Sequence, residues 1–275
     1  MRKIIIDADK KQSGHALGEV IAYRDLFFLL AYKDFKIRYA QTFLGLAWAV
    51  IQPLLTLVIL TLIFGRVAKI NTEQIPYPLF AICGISIWSY FSFVLSQSAS
   101  SIIASQEMIK KVYFPRLLLP LSKTATGVID LLVGLIFILA LMLYYAKLPT
   151  MNLLFLPLFI MFGILGSLGL GLWISALSLR YRDFQHMVPF IVQFGLYVSP
   201  IAYPSIELLD KVPKVFEWVY FLNPISGVVE GIRWSILDTA FPWQLSLLSI
   251  VTSVLIFFTG IRFFLKVETV MSDIV

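Results

Sequence analysis

Residues 43–65 read FLGLAWAVIQPLLTLVILTLIFG and contain no charged side chain. A helix needs about 20 apolar residues to cross the hydrocarbon core of a bilayer, so this stretch predicts a transmembrane helix. The rest of the chain has the same character: 59% of its residues are hydrophobic and 14% are charged. Soluble domains are about 45–50% apolar and about 25% charged. The chain is therefore expected to be an integral membrane protein.

The same criterion selects six spans, which predicts an all-α integral membrane protein. They lie at residues 43–65, 77–99, 117–145, 153–179, 187–203 and 243–265. If the N-terminus is cytoplasmic, 16 of the 22 lysines and arginines lie on the cytoplasmic side. Basic residues mark that side, so we expect cytoplasmic tails at 1–17 and 266–275 around a single transmembrane domain at 42–265. The net charge of +6 then reflects orientation in the membrane and not a nucleic-acid partner.

Residues 18–41, just before the first span, predict an amphipathic helix at the membrane surface. On a helical wheel its apolar side chains form two opposite faces, although an interfacial helix normally has one. The first face holds Phe28, Tyr32, Phe35 and Tyr39, and the second holds Leu26, Leu30 and Ile37. This pattern favours a helix that contacts both lipid and protein, and a simple surface anchor is the alternative.

The sequence argues against most catalytic and metal sites. It contains no G-x-x-x-x-G-K-[ST] loop that would hold nucleotide phosphates. His15 and His186 have no cysteine or carboxylate at metal-ligand spacing, so no metal site is expected. Asp7 and Asp9 resemble the D-x-D pair of glycosyltransferases, and we interpret them as a coincidence in a polar tail. Glycines at 163, 166, 169 and 171 predict close helix packing.

Charged residues interrupt the third predicted span. Asp130 lies near its middle, where a carboxylate costs about 2.5–3.5 kcal/mol, and Lys123 lies seven residues earlier on the same face. Either the two form a local structural pair, or Asp130 marks a polar pathway or a contact between subunits. The residues alone leave both readings open.

Two loops contain amphipathic segments that are too short to span. The cytoplasmic loop 101–115 predicts a short helix with a Glu107–Lys111 pair, suited to docking a soluble partner or simply to connecting two spans. The outer loop contains NPISGVVEGIRWSILD at 223–238, in which Asn223 can cap a helix and Pro224 suits its first turn. Glu230 and Arg233 are spaced to pair there. The outer loop is interpreted as a re-entrant or interfacial hairpin.

Three segments resemble the permease subunits of ABC-2-type polysaccharide exporters, the Wzm- and TagG-like proteins that export O-antigen, teichoic acid and related polymers. They are YKDFKIRYAQTFLGLAWAVIQPL (32–54), RYRDFQHMVPF (180–190) and NPISGVVEGIRW (223–234). The resemblance extends in the same order from about residue 20 to 265. It implies a homodimer of six-span subunits that moves a glycan linked to a polyprenyl pyrophosphate. It also implies two copies of a separate ATPase that bind ATP and Mg, with no cofactor in this chain.

The resemblance also assigns roles to the short segments. Residues 18–41 become an interface helix, and about 101–111 become a coupling helix for the ATPase, with Ser105, Glu107, Lys110 and Lys111. Residues 205–240 become outer gate helices, with Asn223, Pro224, Glu230 and Arg233.

A sliding polymer needs surfaces that contact sugars without gripping them. Aromatic rings in three predicted spans are candidates to line a channel: Trp48, Trp88, Tyr90, Phe91, Phe190, Phe194 and Tyr197. A pyrophosphate headgroup needs cations on the cytoplasmic side, where the candidates are Lys33, Lys36, Arg38 and Arg182. The alternatives are lipid-facing rings and plain orientation signals.

The expected function is therefore that of a non-enzymatic permease subunit in the cytoplasmic membrane. It exports a lipid-linked, O-antigen-type polysaccharide with energy from ATP hydrolysis in a partner. One alternative is export of another substrate, such as teichoic acid, capsule, a glycolipid or a drug. The other is a membrane glycosyltransferase or polymerase.

Overall fold

The structure is a computed structural model that describes residues 16–40, 42–72, 75–209 and 213–268, which form helices and their connections. The interpretations of Asp7, Asp9 and His15 lie outside the described residues, as do most of the two predicted tails. Helices are labelled α1 to α12 in chain order.

Five helices are long and apolar enough to cross a membrane. They confirm five of the six predicted spans by length and composition. They are α3 (Ala47–Leu60, continued by a π-helical stretch Thr61–Val67), α4 (Tyr77–Ala104), α6 (Leu118–Tyr144), α7 (Leu156–Arg180, after a 3₁₀ turn at Met151–Phe155) and α12 (Trp243–Glu268).

The fifth predicted span, 187–203, is shorter and earlier in the structure. It is α8 (Asp183–Val198), whose 16 residues measure about 24 Å, less than the ~30 Å of a hydrocarbon core. The helix ends where Ser199 is extended, as expected for a residue that precedes a proline. A total of six spans therefore stays a prediction.

Six shorter helices complete the described part of the chain. They are α1 (Ala16–Ala22), α2 (Arg24–Tyr39), α5 (Gln106–Lys111), α9 (Ser205–Leu209), α10 (Lys214–Phe221) and α11 (Ser226–Leu237). The predicted interface helix is thus two helices that break at Tyr23. The predicted coupling helix is shorter than 101–111 because α4 continues to Ala104. The predicted outer loop contains three short helices, one more than the expected hairpin.

Helix α4 lies at the centre of the bundle, in contact with α6, α7, α8 and α11. In its most apolar stretch of 18 residues, 78% of the residues are buried, whereas 17% are buried in the corresponding stretch of α3 and its π-helical continuation. Beside it, α7 and α12 approach each other through glycine. A Cβ on Gly169 would lie 2.7 Å from the backbone of Phe257, and a Cβ on Gly260 would lie 2.7 Å from the carbonyl oxygen of Gly169. The predicted packing role of the α7 glycines is confirmed at this contact.

Helix α2 packs against α6. Its less exposed residues are spaced alternately three positions and one position apart, so they lie along one side of the helix. This side includes Leu26, Leu30, Asp34 and Arg38. The two predicted faces were wrong in part: Phe28 and Tyr32 are 65% and 64% exposed, while Tyr39 of the same predicted face is buried. The charged residues Asp34 and Arg38 belong to the packed side.

Candidate functional site

The accessible face in the middle of α4 is mostly polar. Between residues 85 and 102 every α4 residue is buried except one helical stripe. We call it the polar stripe; it consists of Ser89, Ser92, Phe93, Ser96, Gln97 and Ser100. Hydrocarbon cannot satisfy hydroxyl and amide groups, so such a face is expected to meet water, a polar ligand or other protein groups. The serines at helical spacing are visible in the sequence, but they were not among the predicted site residues.

The polar stripe borders a cavity of about 270 Å³, which we call the polar crevice. Helix α3 contributes Gln52 to its wall, α8 contributes Val192, and the end of α2 contributes Arg38. Asp130 of α6 completes the lining. The crevice therefore combines hydroxyl, amide, guanidinium and carboxylate groups among membrane-length helices.

Asp130 is held by the end of α2. The Nη1 of Arg38 donates to its Oδ2 at 2.8 Å, and the hydroxyl of Tyr39 donates to its Oδ1 at 3.0 Å. The guanidinium carbon of Arg38 also lies 4.1 Å from the ring centre of Phe93. Burial raises the pKa of Tyr39 to about 12, and the Asp130 carboxylate acts in the same direction, so the phenol remains a proton donor at neutral pH. Both carboxylate oxygens are thus satisfied.

A second ion pair joins the same two helices. The Nζ of Lys123 lies 2.5 Å from the Oδ2 of Asp34, and the Thr126 hydroxyl donates to the carbonyl of Ala31. The local pairing of Lys123 with Asp130 is therefore wrong, because each of them pairs with α2. Together the pairs fasten α2 to the membrane-length helix α6.

The structure separates the predicted headgroup cations. Lys33, Lys36 and Arg182 are exposed, whereas Arg38 is bonded to Asp130. Arg38 therefore differs from the other three, since a carboxylate already neutralises its charge.

The predicted channel aromatics also fall into two groups. Trp88, Tyr90 and Phe91 are 6%, 0% and 3% exposed and lie in the packed core of the subunit, so their placement argues against a channel lining. The remaining four are exposed: Trp48, Phe190, Phe194 and Tyr197. The ring that reaches the polar crevice is Phe93, which was not predicted.

Arg233 and Glu230 pair as predicted, but in the interior. Arg233 is 0% exposed; its Nη2 donates to the carbonyl of Ile201 at 2.7 Å, and its Cζ lies 3.6 Å from the ring centre of Phe80. Glu230 lies 3.6 Å from Nη1 and accepts the backbone N–H of Ser205 at 2.9 Å. Burial lowers the pKa of Arg233, and the carboxylate of Glu230 opposes that shift. The pair thus connects α11 to α4 and to the segment that follows α8.

The Asn223–Pro224 turn is anchored on both sides. Asn223 accepts the N–H of Ile225 at 3.3 Å through Oδ1 and donates to the hydroxyl of Ser199 at 2.9 Å through Nδ2. The hydroxyl of Ser253 in α12 donates to the carbonyl of Pro224 at 3.0 Å. The prediction that Asn223 caps the helix and Pro224 lies in its first turn is wrong, because α11 begins at Ser226, after the cap residue Ile225, and has no side-chain cap bond. Asn223 instead stabilises the turn before the helix through its bond to the N–H of Ile225.

The short helix α5 is an exposed element on the loop between α4 and α6, which the sequence predicts to be cytoplasmic. Its Glu107 and Lys111 lie 3.6 Å apart and are 82% and 74% exposed; Lys110 is exposed as well. Ser105 forms the bend between α4 and α5. After α5, the backbone N–H and the guanidinium of Arg116 donate to Glu268 at the end of α12, at 2.8 and 3.0 Å. The loop is thus connected to both the central and the last long helix.

Comparison with known proteins identifies the family of the chain. The chain is 28% identical over 252 residues to the O-antigen export system permease protein RfbA of Klebsiella pneumoniae, which covers 91% of this chain and 95% of that protein. It is 27% identical to RfbA of Myxococcus xanthus, over 77% of this chain and 80% of that protein. It is 26% identical to the polysialic acid transport protein KpsM of Escherichia coli, over 72% of this chain and 76% of that protein. The sequence pattern of the ABC-2 type transporter family matches residues 25–237. The chain belongs to the ABC-2 type transporter family.

Proposed function

We propose that this chain is the membrane permease of an ABC exporter that moves an O-antigen-type, lipid-linked polysaccharide across the cytoplasmic membrane. Its family and its five membrane-length helices make it an integral protein of that membrane. The relatives named as O-antigen export permeases match 91% and 77% of the chain, which supports a polysaccharide as the substrate.

The polar stripe carries the proposal. A polysaccharide is covered with hydroxyl groups, and serine hydroxyls can exchange hydrogen bonds with them one after another. Serine is short and neutral, so each contact is weak enough to break as the polymer advances. A hydrophobic drug or lipid tail would instead favour an apolar face at the same place.

The energy comes from a separate ATPase in this proposal, since the sequence has no nucleotide-phosphate loop. ATP and Mg belong to that partner. Helix α5 is the proposed docking element, because it is exposed, charged and joined directly to α4 at Ser105. The bonds from Arg116 to Glu268 would pass a displacement of α5 on to α12 as well.

We further propose that two copies assemble, each with one ATPase. Helices α3 and α8 flank the polar crevice and expose apolar side chains that lipid or a second copy must cover. They include Trp48, Leu55, Val58 and Ile59 on α3, and Phe190, Phe194 and Tyr197 on α8. The exposed Lys33, Lys36 and Arg182 are proposed to meet the pyrophosphate, and α10 and α11 are proposed to close the outer mouth.

Reconstitution tests the proposal. The chain is purified together with an ABC ATP-binding protein from the same organism, and the complex is placed in proteoliposomes that hold the lipid-linked polymer on one side. We expect polymer to appear on the other side only with ATP and Mg, and ATPase activity to rise with polymer. Failure of the two proteins to copurify, or stimulation by a small amphiphile but not by polymer, would overturn it.

The glycosyltransferase alternative has its own control. If the complex lengthened the polymer with a nucleotide sugar, and the combined Asp7→Ala and Asp9→Ala changes abolished that activity, the chain would be an enzyme. We expect no such activity in either form.

A further inference from the structure

We infer that the polar crevice binds one neutral sugar unit of the passing polymer, and not the pyrophosphate of its carrier lipid. This inference rests on the proposed function and adds a location and a ligand class to it.

The charge of the lining is the first reason. The ionised groups among its residues are Arg38 and Asp130, which are bonded at 2.8 Å and cancel each other. A pyrophosphate placed there would meet the carboxylate of Asp130 and would have to compete with it for the guanidinium. No net positive charge is left to hold an anion, so the lining selects a neutral ligand.

The hydrogen-bonding groups are the second reason. The guanidinium of Arg38 has donors beyond Nη1, and each oxygen of Asp130 keeps a lone pair after accepting one bond. The ion pair thus offers donors and acceptors side by side. Sugar hydroxyls both donate and accept, so a pyranose ring can use both kinds of group at once.

The other walls match a sugar ring as well. The serine hydroxyls at 89, 92 and 96 lie on one side, and the amide of Gln52 on α3 lies among the same lining residues. The hydroxyl of Ser92 donates to the carbonyl of Ser89 at 3.1 Å, which leaves its oxygen free to accept. Phe93 and Val192 add apolar surface for the C–H groups of the ring. A cavity of about 270 Å³ is slightly smaller than the ~300–1,000 Å³ of pockets for drug-sized ligands, which suits a single unit.

The depth of the crevice is the third reason. Ser96 and Ser89 precede the end of α4 at Ala104 by eight and fifteen residues. At 1.5 Å per residue they lie about 12–22 Å from the cytoplasmic end of the helix. That depth lies below the lipid headgroups, within the hydrocarbon region. The pyrophosphate passes this level once, as the carrier lipid changes leaflet, whereas every sugar unit of the polymer passes it in turn.

Cysteine labelling tests the inference on the full complex in membranes. The native Cys83 is 0% exposed, so the unaltered chain serves as the unlabelled background. Ser92→Cys places a thiol in the crevice, and Leu139→Cys places a matched thiol on an apolar face of α6 that is 58% exposed. A water-soluble, membrane-impermeant thiol reagent is expected to label the first variant and not the second.

Protection then identifies the ligand class. Glucose, galactose, mannose and rhamnose are added singly at high concentration, and inorganic pyrophosphate is added at the same concentration. We expect at least one sugar to slow labelling of Ser92→Cys by about fivefold and pyrophosphate to leave it unchanged. Adding Gln52→Leu to Ser92→Cys is expected to weaken protection by the same sugar while labelling without sugar continues.

The outcomes separate this inference from the proposed function. If the unaltered complex exports polymer but no sugar protects the thiol, or pyrophosphate protects it better, the sugar site is wrong and the proposed function stands. If Ser92→Cys is not labelled at all, the crevice is closed to water and the site is likewise refuted. Sugar protection in a complex that exports no polymer would support the site and refute the proposed function.

Discussion

Replacing Asp130 with asparagine is expected to weaken the attachment of α2 to α6. The change removes the charge that Arg38 binds at 2.8 Å and keeps an oxygen for the hydroxyl of Tyr39. Losing one partner of a fully buried ion pair costs about 3–5 kcal/mol. Arg38 is 27% exposed and keeps its contact with the ring of Phe93, so we expect a smaller cost of about 2–3 kcal/mol. That corresponds to a fall in apparent Tm of about 5–10 °C.

The assay is thermal unfolding of the purified chain in detergent, at one fixed heating rate. A double-mutant cycle with Arg38→Met separates the pair from its surroundings. Because the asparagine variant leaves a half-buried guanidinium without a carboxylate, adding Arg38→Met should cost little more. We expect the double variant to be more stable than the sum of the single effects by about 1–2 kcal/mol.

Glu107→Gln provides the matched control. It breaks an ion pair that is almost fully exposed, and surface pairs contribute little, so Tm should stay unchanged. If the Asp130 and Arg38 effects simply add, or if Asp130→Asn is as harmless as the control, the two helices are not held together by this pair.

Three further changes give separate expectations. Arg233→Met leaves Glu230 buried without its cation and is expected to cost about 3–5 kcal/mol in thermal unfolding, and a second change of Glu230→Gln should recover part of that loss. Gly169→Ala is expected to cost about 1–3 kcal/mol because its Cβ would meet the backbone of α12, whereas Gly18→Ala, with no atom within 4 Å, should not destabilise; equal Tm values for the two would contradict the packing. Lys111→Glu is expected to leave Tm unchanged and to reduce copurification with the ATPase; intact copurification would remove α5 from the docking surface.

The sequence predicted the long helices because transmembrane segments must be long and apolar, and nothing in the rest of the fold can override that requirement. Its bounds were wrong at α8, where the apolar run continues past Ser199 although the residue before a proline disfavours the helical backbone. It also failed for α2. The wheel grouped side chains by apolarity, whereas the structure places Asp34 and Arg38 on the packed side because α6 supplies their partners.

The site was harder to predict than the fold. Charged and aromatic residues attract notice in a membrane sequence, but their partners lie up to 153 positions away, as with Arg233 and Phe80. Burial cannot be read from a single span either, since Tyr90 and Phe93 belong to the same helix and only Phe93 reaches the crevice. The serines at helical spacing on α4 were visible in the sequence, and only the structure separates them from the buried Ser86, Ser98 and Ser101.

The glycine contact between α7 and α12 limits how this protein can move. Where two backbones touch, one helix cannot slide past the other without lifting away, because no flexible side chain is available to yield. These two helices are therefore expected to move together as one rigid unit within the subunit. An opening for a polymer is therefore expected from parts outside this contact, such as rotation of the whole subunit, tilting of α3 and α8, which have few buried residues, or movement of α10 and α11. Cross-linking α7 to α12 should leave transport intact, and cross-linking α3 to α8 should stop it.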